Sequence, residues 1–128
     1  DKTVDTLFIG YSLGCFVSMQ SLSHINTIGI NCNNILLVNG MCRGTNMVPH
    51  FKIFAMLLGV NMKPHLHKSN VPITILHAKD DITIPISEAQ ELKQECDAIG
   101  RSCTVLTCDG DHGHYIIPSE TKSYLKLL

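Results

Sequence analysis

Gly10-Tyr11-Ser12-Leu13-Gly14 is the stretch whose reading decides the fold. It follows the apolar run Leu7-Phe8-Ile9 and precedes a segment with helical spacing. A glycine-flanked serine between a strand and a helix predicts a sharp turn, with the serine at its tip in a strained backbone conformation. Strand and helix then pass close on either side, so a Cβ at Gly10 or Gly14 is expected to clash. The turn pushes the Ser12 hydroxyl out of the sheet. It also aims the Leu13 N–H, at the helix N-terminus, towards any oxyanion formed in front of it. Alone, the pentapeptide reads more readily as an ordinary loop that contains serine; the flanking elements and the far end of the chain favour the turn.

Upstream, Thr6 to Ile9 is short and apolar on both faces, as in a parallel strand covered on both sides. Downstream, Phe16, Met19, Leu22 and Ile25 recur at threes, with Val17 widening the stripe. This spacing predicts a helix over 13–25, with Asn26 and Gly29 as terminators. A second strand is expected over 34–40, closed by Asn39-Gly40.

Residues 41–70 carry no strand signal, but Phe51, Phe54, Ala55 and Leu58 make a helical stripe ended by Gly59. A short apolar insertion, acting as a lid over a pocket, and an ordinary crossover helix packed on the sheet both fit. A third strand over 71–77 enters through Pro72, where no ladder donor is lost. Ser87 and Gln90 have capping-box spacing, followed by a stripe of Ala89, Leu92, Cys96 and Ile99 with Gly100 as the stop. A fourth strand over 102–107 and a last helix over 118–128 complete the chain. Strands alternating with helix-length connections call for parallel strands joined by crossovers, an α/β layer architecture in one domain of 128 residues.

Composition excludes several classes. Hydrophobic residues make up 45% of the chain and charged residues 16%, so a buried core is expected and disorder is not. A formal net charge of -1 and the lack of tryptophan argue against nucleic-acid partners. No apolar stretch reaches the length of a membrane span. The six cysteines form no C-x-x-C pair and mostly sit in apolar runs; they read as buried free thiols, which favours a reducing, cytoplasmic compartment. The chain opens at Asp1 and runs almost at once into a strand, which reads as a cut N-terminus.

In parallel sheets, sites gather at the carboxyl ends of the strands. Ser12 follows the first strand, Asp80-Asp81 the third, and His112 the fourth. A serine hydroxyl needs a base, which His112 supplies; a buried carboxylate would then fix the imidazole tautomer. The order Ser, Asp, His matches one known arrangement of these groups. Asp80 is the alternative acid, otherwise a solvated loop charge, and His114 the alternative base, otherwise a surface imidazole. Asp109 and Asp111 read as turn formers. His65-Leu66-His67 reads as a solvated loop and not a metal site. His24, His50 and His77 carry no expected role, and Cys15 reads as a buried small hydrophobe.

Four segments together resemble the C-terminal half of an α/β-hydrolase-fold serine hydrolase: Gly10-Tyr11-Ser12-Leu13-Gly14; Ile35-Leu36-Leu37-Val38-Asn39-Gly40; 72–85, Pro-Ile-Thr-Ile-Leu-His-Ala-Lys-Asp-Asp-Ile-Thr-Ile-Pro; and Gly110-Asp111-His112-Gly113. The resemblance implies Ser12 as nucleophile, Asp81 as acid, His112 as base, the Leu13 N–H as an oxyanion donor, and neither metal nor organic cofactor. It further implies a small-molecule acyl ester as substrate. Within the family the chain looks most like esterases and lipases acting on acylglycerols or lysophospholipids; peptidases and thioesterases share the motifs. The family's sheet has eight strands, and only the last four are recognised here. The absent half normally supplies the second oxyanion N–H, worth roughly 3 kcal/mol, so this chain is expected to be weakly active or inactive alone, with an unpaired edge on its first strand. The rival expectation is a truncated, non-catalytic module that binds a ligand or a partner chain.

Overall fold

A computed structural model describes residues 5–27, 31–121 and 123. Strand β1 (Asp5–Tyr11) leads into helix α1 (Leu13–Thr27), and β2 (Asn31–Val38) into helix α2 (Pro49–Leu57). A single 3-10 turn (Lys63–His65) precedes β3 (Ile73–Ala78), helix α3 (Ile86–Ala98) and β4 (Cys103–Cys108). The four strands form one parallel sheet in the order β1-β2-β3-β4. The architecture is the α/β sheet-and-helix arrangement expected from the alternation of elements.

The central strands β2 and β3 are apolar on both sides because both of their faces are buried, whereas β1 and β4 are partly exposed. On one face, Ile35 and Leu37 of β2, Ile73 and Ile75 of β3 and Cys103 of β4 pack with Cys15, Phe16 and Met19 of α1 and Leu92 and Cys96 of α3. The alternate residues Leu36, Val38, Leu76, Ala78 and Cys108 form a second cluster, against Leu7, Leu106 and Tyr115. The period of two thus divides each strand between two cores. Strand β1 lies at an edge of the sheet, where Ile9 is 62% exposed.

Several local expectations change. Tyr11 still pairs with Val38, so β1 runs through Gly10 to the turn. Strand β2 begins three residues early, pairing with β1 across a register shift between Thr6 and Leu7, and it ends before Asn39, whose φ of 49° leaves the strand region. Helix α1 continues through Asn26 to Thr27, while Gly29 and the Ile25 side chain lie outside the described residues. Val17 is exposed; Cys15 takes its place on the buried face. Ser87 caps nothing. Helix α3 starts at Ile86 after an extended Pro85, with no side-chain cap, so Ser87 already sits inside the first turn. The helix expected over 118–128 does not start at Pro118, because 118–120 are coil and turn and helix begins at Thr121; the rest falls mostly outside the described residues. All six cysteines are buried free thiols. Among the described residues, no helix is long and apolar enough to cross a membrane.

Candidate active site

The turn at Ser12 is built by close approach. Ser12 has φ 55°, a left-handed conformation in which a non-glycine residue is strained. Its N–H donates to the Val38 carbonyl at 3.0 Å, which ties the turn to the end of β2. A Cβ on Gly10 would sit 2.7 Å from the Cys15 Cα, so the strand and helix leave no room there. The expected clash at Gly14 is absent: no atom lies within 4 Å of a Cβ built at that position. The second close approach falls instead at Gly40, where a Cβ would meet the Cys15 sulfur at 2.4 Å. Cys15 is therefore a packing residue. Its thiol donates to the Gly10 and Val38 carbonyls, and burial pushes its pKa up to about 12.

The structure brings Ser12, His112 and Asp81 together from three strand ends. Ser12 Oγ lies 3.0 Å from His112 Nε2, and His112 Nδ1 lies 2.7 Å from Asp81 Oδ2. The Asp81 side chain is fully buried, whereas the imidazole is 23% exposed. Asp81 Oδ1 accepts the Ile84 N–H at 2.8 Å, which aims the other oxygen at the imidazole. A carboxylate only accepts, so Nδ1 carries the proton and Nε2 presents its lone pair to the serine hydroxyl. Leu13 is the first residue of α1, and its N–H has no intrahelical partner to donate to. Asp80 points to solvent, its backbone N–H donating to the Gly110 carbonyl, and the His114 side chain is 95% exposed.

Asp111 makes the turn expected of it, its Oδ1 accepting the Gly113 and His114 N–H groups. Asp109 does not; its carboxylate faces Lys79 at 3.5 Å. His65 is not solvated but packs edge-on against Phe16, and burial pulls its pKa down. Among the described residues no cluster of three His, Cys, Asp or Glu side chains could hold a metal.

A cleft of about 510 Å³ opens beside Ser12 and His112. Met41, Met47, Phe51, Phe54, Leu58, Val60 and Ile84 line it, with Thr83 as the other polar wall residue among the described residues. The stripe on α2 thus faces the cleft; only Ala55 of that helix is buried.

Four residues with no assigned role from sequence bear on this site. His77 is wholly buried on β3, donates through Nε2 to the Ile84 carbonyl at 2.7 Å, and comes within 3.8 Å of Asp81 Oδ2. Burial holds its pKa below the usual histidine range, so it stays neutral beside the carboxylate. Asn39 and Tyr11 both reach the His112 carbonyl. Glu88, also wholly buried, holds the loop that leads to α2. Two of these had a visible signal. His77 interrupts an apolar parallel strand, and Glu88 continues the Leu92 and Cys96 stripe at i, i+4 and i+8. A polar group in either place is expected to be buried and to find a hydrogen-bond partner, as Nε2 of His77 and both oxygens of Glu88 do.

No family profile and no curated sequence matches the chain. Solved structures do. An esterase of Pyrococcus furiosus superposes with a TM-score of 0.65 at 16% identity, covering 95% of this chain and 50% of that one. An acylaminoacyl peptidase of Pyrococcus horikoshii gives 0.66 at 12% identity, covering 84% and 20%. A truncated carbohydrate esterase from gut microbiota gives 0.64 at 15%, covering 92% and 56%. At such identities the likeness is one of fold, and the fold is that of the α/β-hydrolases. The chain spans about half the length of the esterases it matches.

Proposed function

We propose that this chain carries the site of a serine hydrolase that cleaves carboxylic esters with apolar acyl groups, through an acyl-serine intermediate. The observation that carries the reading is the hydrogen-bonded line from Ser12 Oγ through His112 to Asp81, opening on an apolar cleft. In the first step His112 Nε2 takes the hydroxyl proton while Ser12 Oγ bonds to the ester carbonyl carbon. The buried Asp81 carboxylate stabilises the imidazolium so formed. The carbonyl oxygen becomes an oxyanion, towards which we assign the Leu13 N–H. Collapse expels the alcohol, protonated by His112. Water then repeats the sequence, releasing the acid and restoring the hydroxyl. A lone donor leaves about 3 kcal/mol of oxyanion stabilisation unused, so turnover is slow unless a second N–H joins it.

The esterase and peptidase activities of the structural neighbours support a hydrolase. The lining of the cleft supports the apolar acyl group, and we read 41–70 as a short insertion whose helix α2 acts as a lid. A fluorophosphonate probe tests the reaction class on the full chain. Ser12 should be labelled, and Ser12→Ala should abolish the signal; labelling that survives the substitution removes Ser12 from the mechanism. With 4-nitrophenyl esters, kcat/KM should rise from acetate to octanoate, by up to about 0.8 kcal/mol per buried CH₂. A profile flat in chain length would sink the apolar-acyl part, and a panel of thioesters and peptides tests the choice of bond.

A further inference from the structure

His112 is held by its backbone as well as by its ring. Its carbonyl accepts two hydrogen bonds from outside its own loop, one from the Tyr11 hydroxyl and one from Asn39 Nδ2 at 3.1 Å. Tyr11 is the last residue of β1, immediately before Ser12, and its ring stacks on the imidazole with centroids 5.3 Å apart. Asn39 is the first residue past β2. It is wholly buried, and its Oδ1 accepts the N–H of Ala78, the last residue of β3, at 2.8 Å. One amide therefore spans from the end of the acid-bearing strand to the histidine loop. One hydroxyl spans from the serine turn to the same carbonyl.

The loop's other bonds do less to locate it. Asp111 closes the loop on itself, through its side chain and through its N–H to the His114 carbonyl. The Asp80 N–H ties Gly110 to the β3 side alone. Tyr11 and Asn39 supply the references to β1 and β2. Misplacing a reacting group by about 1 Å can cost a hundredfold in rate, so the placement of this peptide matters.

We propose that Tyr11 and Asn39 are positioning residues, clamping the His112 carbonyl so that the imidazole spans Ser12 and Asp81. This rests on the hydrolase reading above. Neither side chain lines the cleft, so the clamp acts on turnover and not on substrate binding.

Tyr11→Phe keeps the stacked ring and removes the hydroxyl. Asn39→Asp keeps the acceptor for Ala78 and tolerates the left-handed backbone, but faces the His112 carbonyl with an acceptor. In the full chain, Tyr11→Phe should lower kcat about three- to tenfold with KM unchanged, as expected for the loss of one hydrogen bond. In a His112→Ala background, Tyr11→Phe should leave the residual rate unaltered, because its effect runs through the histidine. Asn39→Asp should lower kcat further; should it not fold, Tyr11→Phe carries the test. An unchanged kcat in Tyr11→Phe, a raised KM, or an equal loss without His112 would each overturn the clamp. The Ser12→Ala control separates the two readings. Probe labelling lost in Ser12→Ala but at the wild-type rate in Tyr11→Phe overturns the clamp alone, whereas labelling kept in Ser12→Ala overturns the hydrolase reading beneath it.

Discussion

Glu88 Oε1 accepts the backbone N–H of Gly44 at 2.7 Å, joining the first turn of α3 to the loop after β2. The same oxygen accepts from the Cys42 and Arg43 N–H groups, and Oε2 accepts from the Asn46 backbone and side chain. A single buried carboxylate thus stands in for a strand partner over this loop, which leads into α2 and the wall of the cleft. At its rim Glu91 binds Arg43 and Asn46.

Removing that carboxylate strands two buried donors, the Cys42 and Gly44 N–H groups, each costing about 1–3 kcal/mol, and three partly buried ones. Glu88→Ala should therefore destabilise the fold by at least about 3 kcal/mol in urea denaturation. Glu88→Gln should cost less, because one oxygen still accepts. A loss below about 0.5 kcal/mol for the alanine variant would mean that water replaces the carboxylate.

Asp81 and Asp80 are adjacent in the chain, but the first is buried and the second exposed. Asp81→Asn replaces an acceptor by an amide that can donate to Nδ1, which favours the wrong imidazole tautomer. Hydrolysis should fall by a factor on the order of 10⁴, with the fold intact by circular dichroism. Asp80→Asn should stay within about threefold of wild type, the change expected for an exposed charge screened by solvent. Equal losses in both variants would overturn the acid role proposed for Asp81.

The glycines of the turn are not equivalent. Gly10→Ala sets a methyl 2.7 Å from backbone atoms of α1, and overpacking of this kind costs about 1–3 kcal/mol or more. Gly14→Ala meets open space in the first turn of α1, where alanine is favoured by less than the roughly 0.8–1.0 kcal/mol of a helix interior. Thermal melts of the two variants should move in opposite directions. A destabilised Gly14→Ala would point to a neighbour packed against that position.

His77 makes stability depend on pH with a defined sign. Burial lowers its folded pKa, while hydrogen bonding to Ile84 and the Asp81 carboxylate push the other way and are outweighed. Above the unfolded value of about 6.5 both states hold the ring neutral, and its contribution is complete. As pH falls from there towards the folded pKa, the unfolded chain binds a proton that the native state refuses, and stability is lost. His77→Gln should flatten this part of the profile between about pH 7 and 5. An identical slope in the variant would assign it to other groups, His65 among them.

By itself the sequence determined the element order and its class. Runs apolar on both faces, separated by helix-length connections, fit a parallel sheet and little else. The glycines around Ser12 and the polar loops after the third and fourth strands nominated Ser12, Asp81 and His112, because strand ends are where such sheets present side chains. Helix faces were legible wherever the period was clean, as at Phe16, Met19 and Leu22, and failed at Val17, where the choice between neighbours depended on which one met the sheet. Only the tertiary structure decided how Asn39, Tyr11, His77 and Glu88 are used. Each acts through a hydrogen bond to a group on another element, and Tyr11 meets His112 across 101 positions. Periodicity records which side of a helix or strand is buried, but not which distant carbonyl or amide a buried polar atom will find.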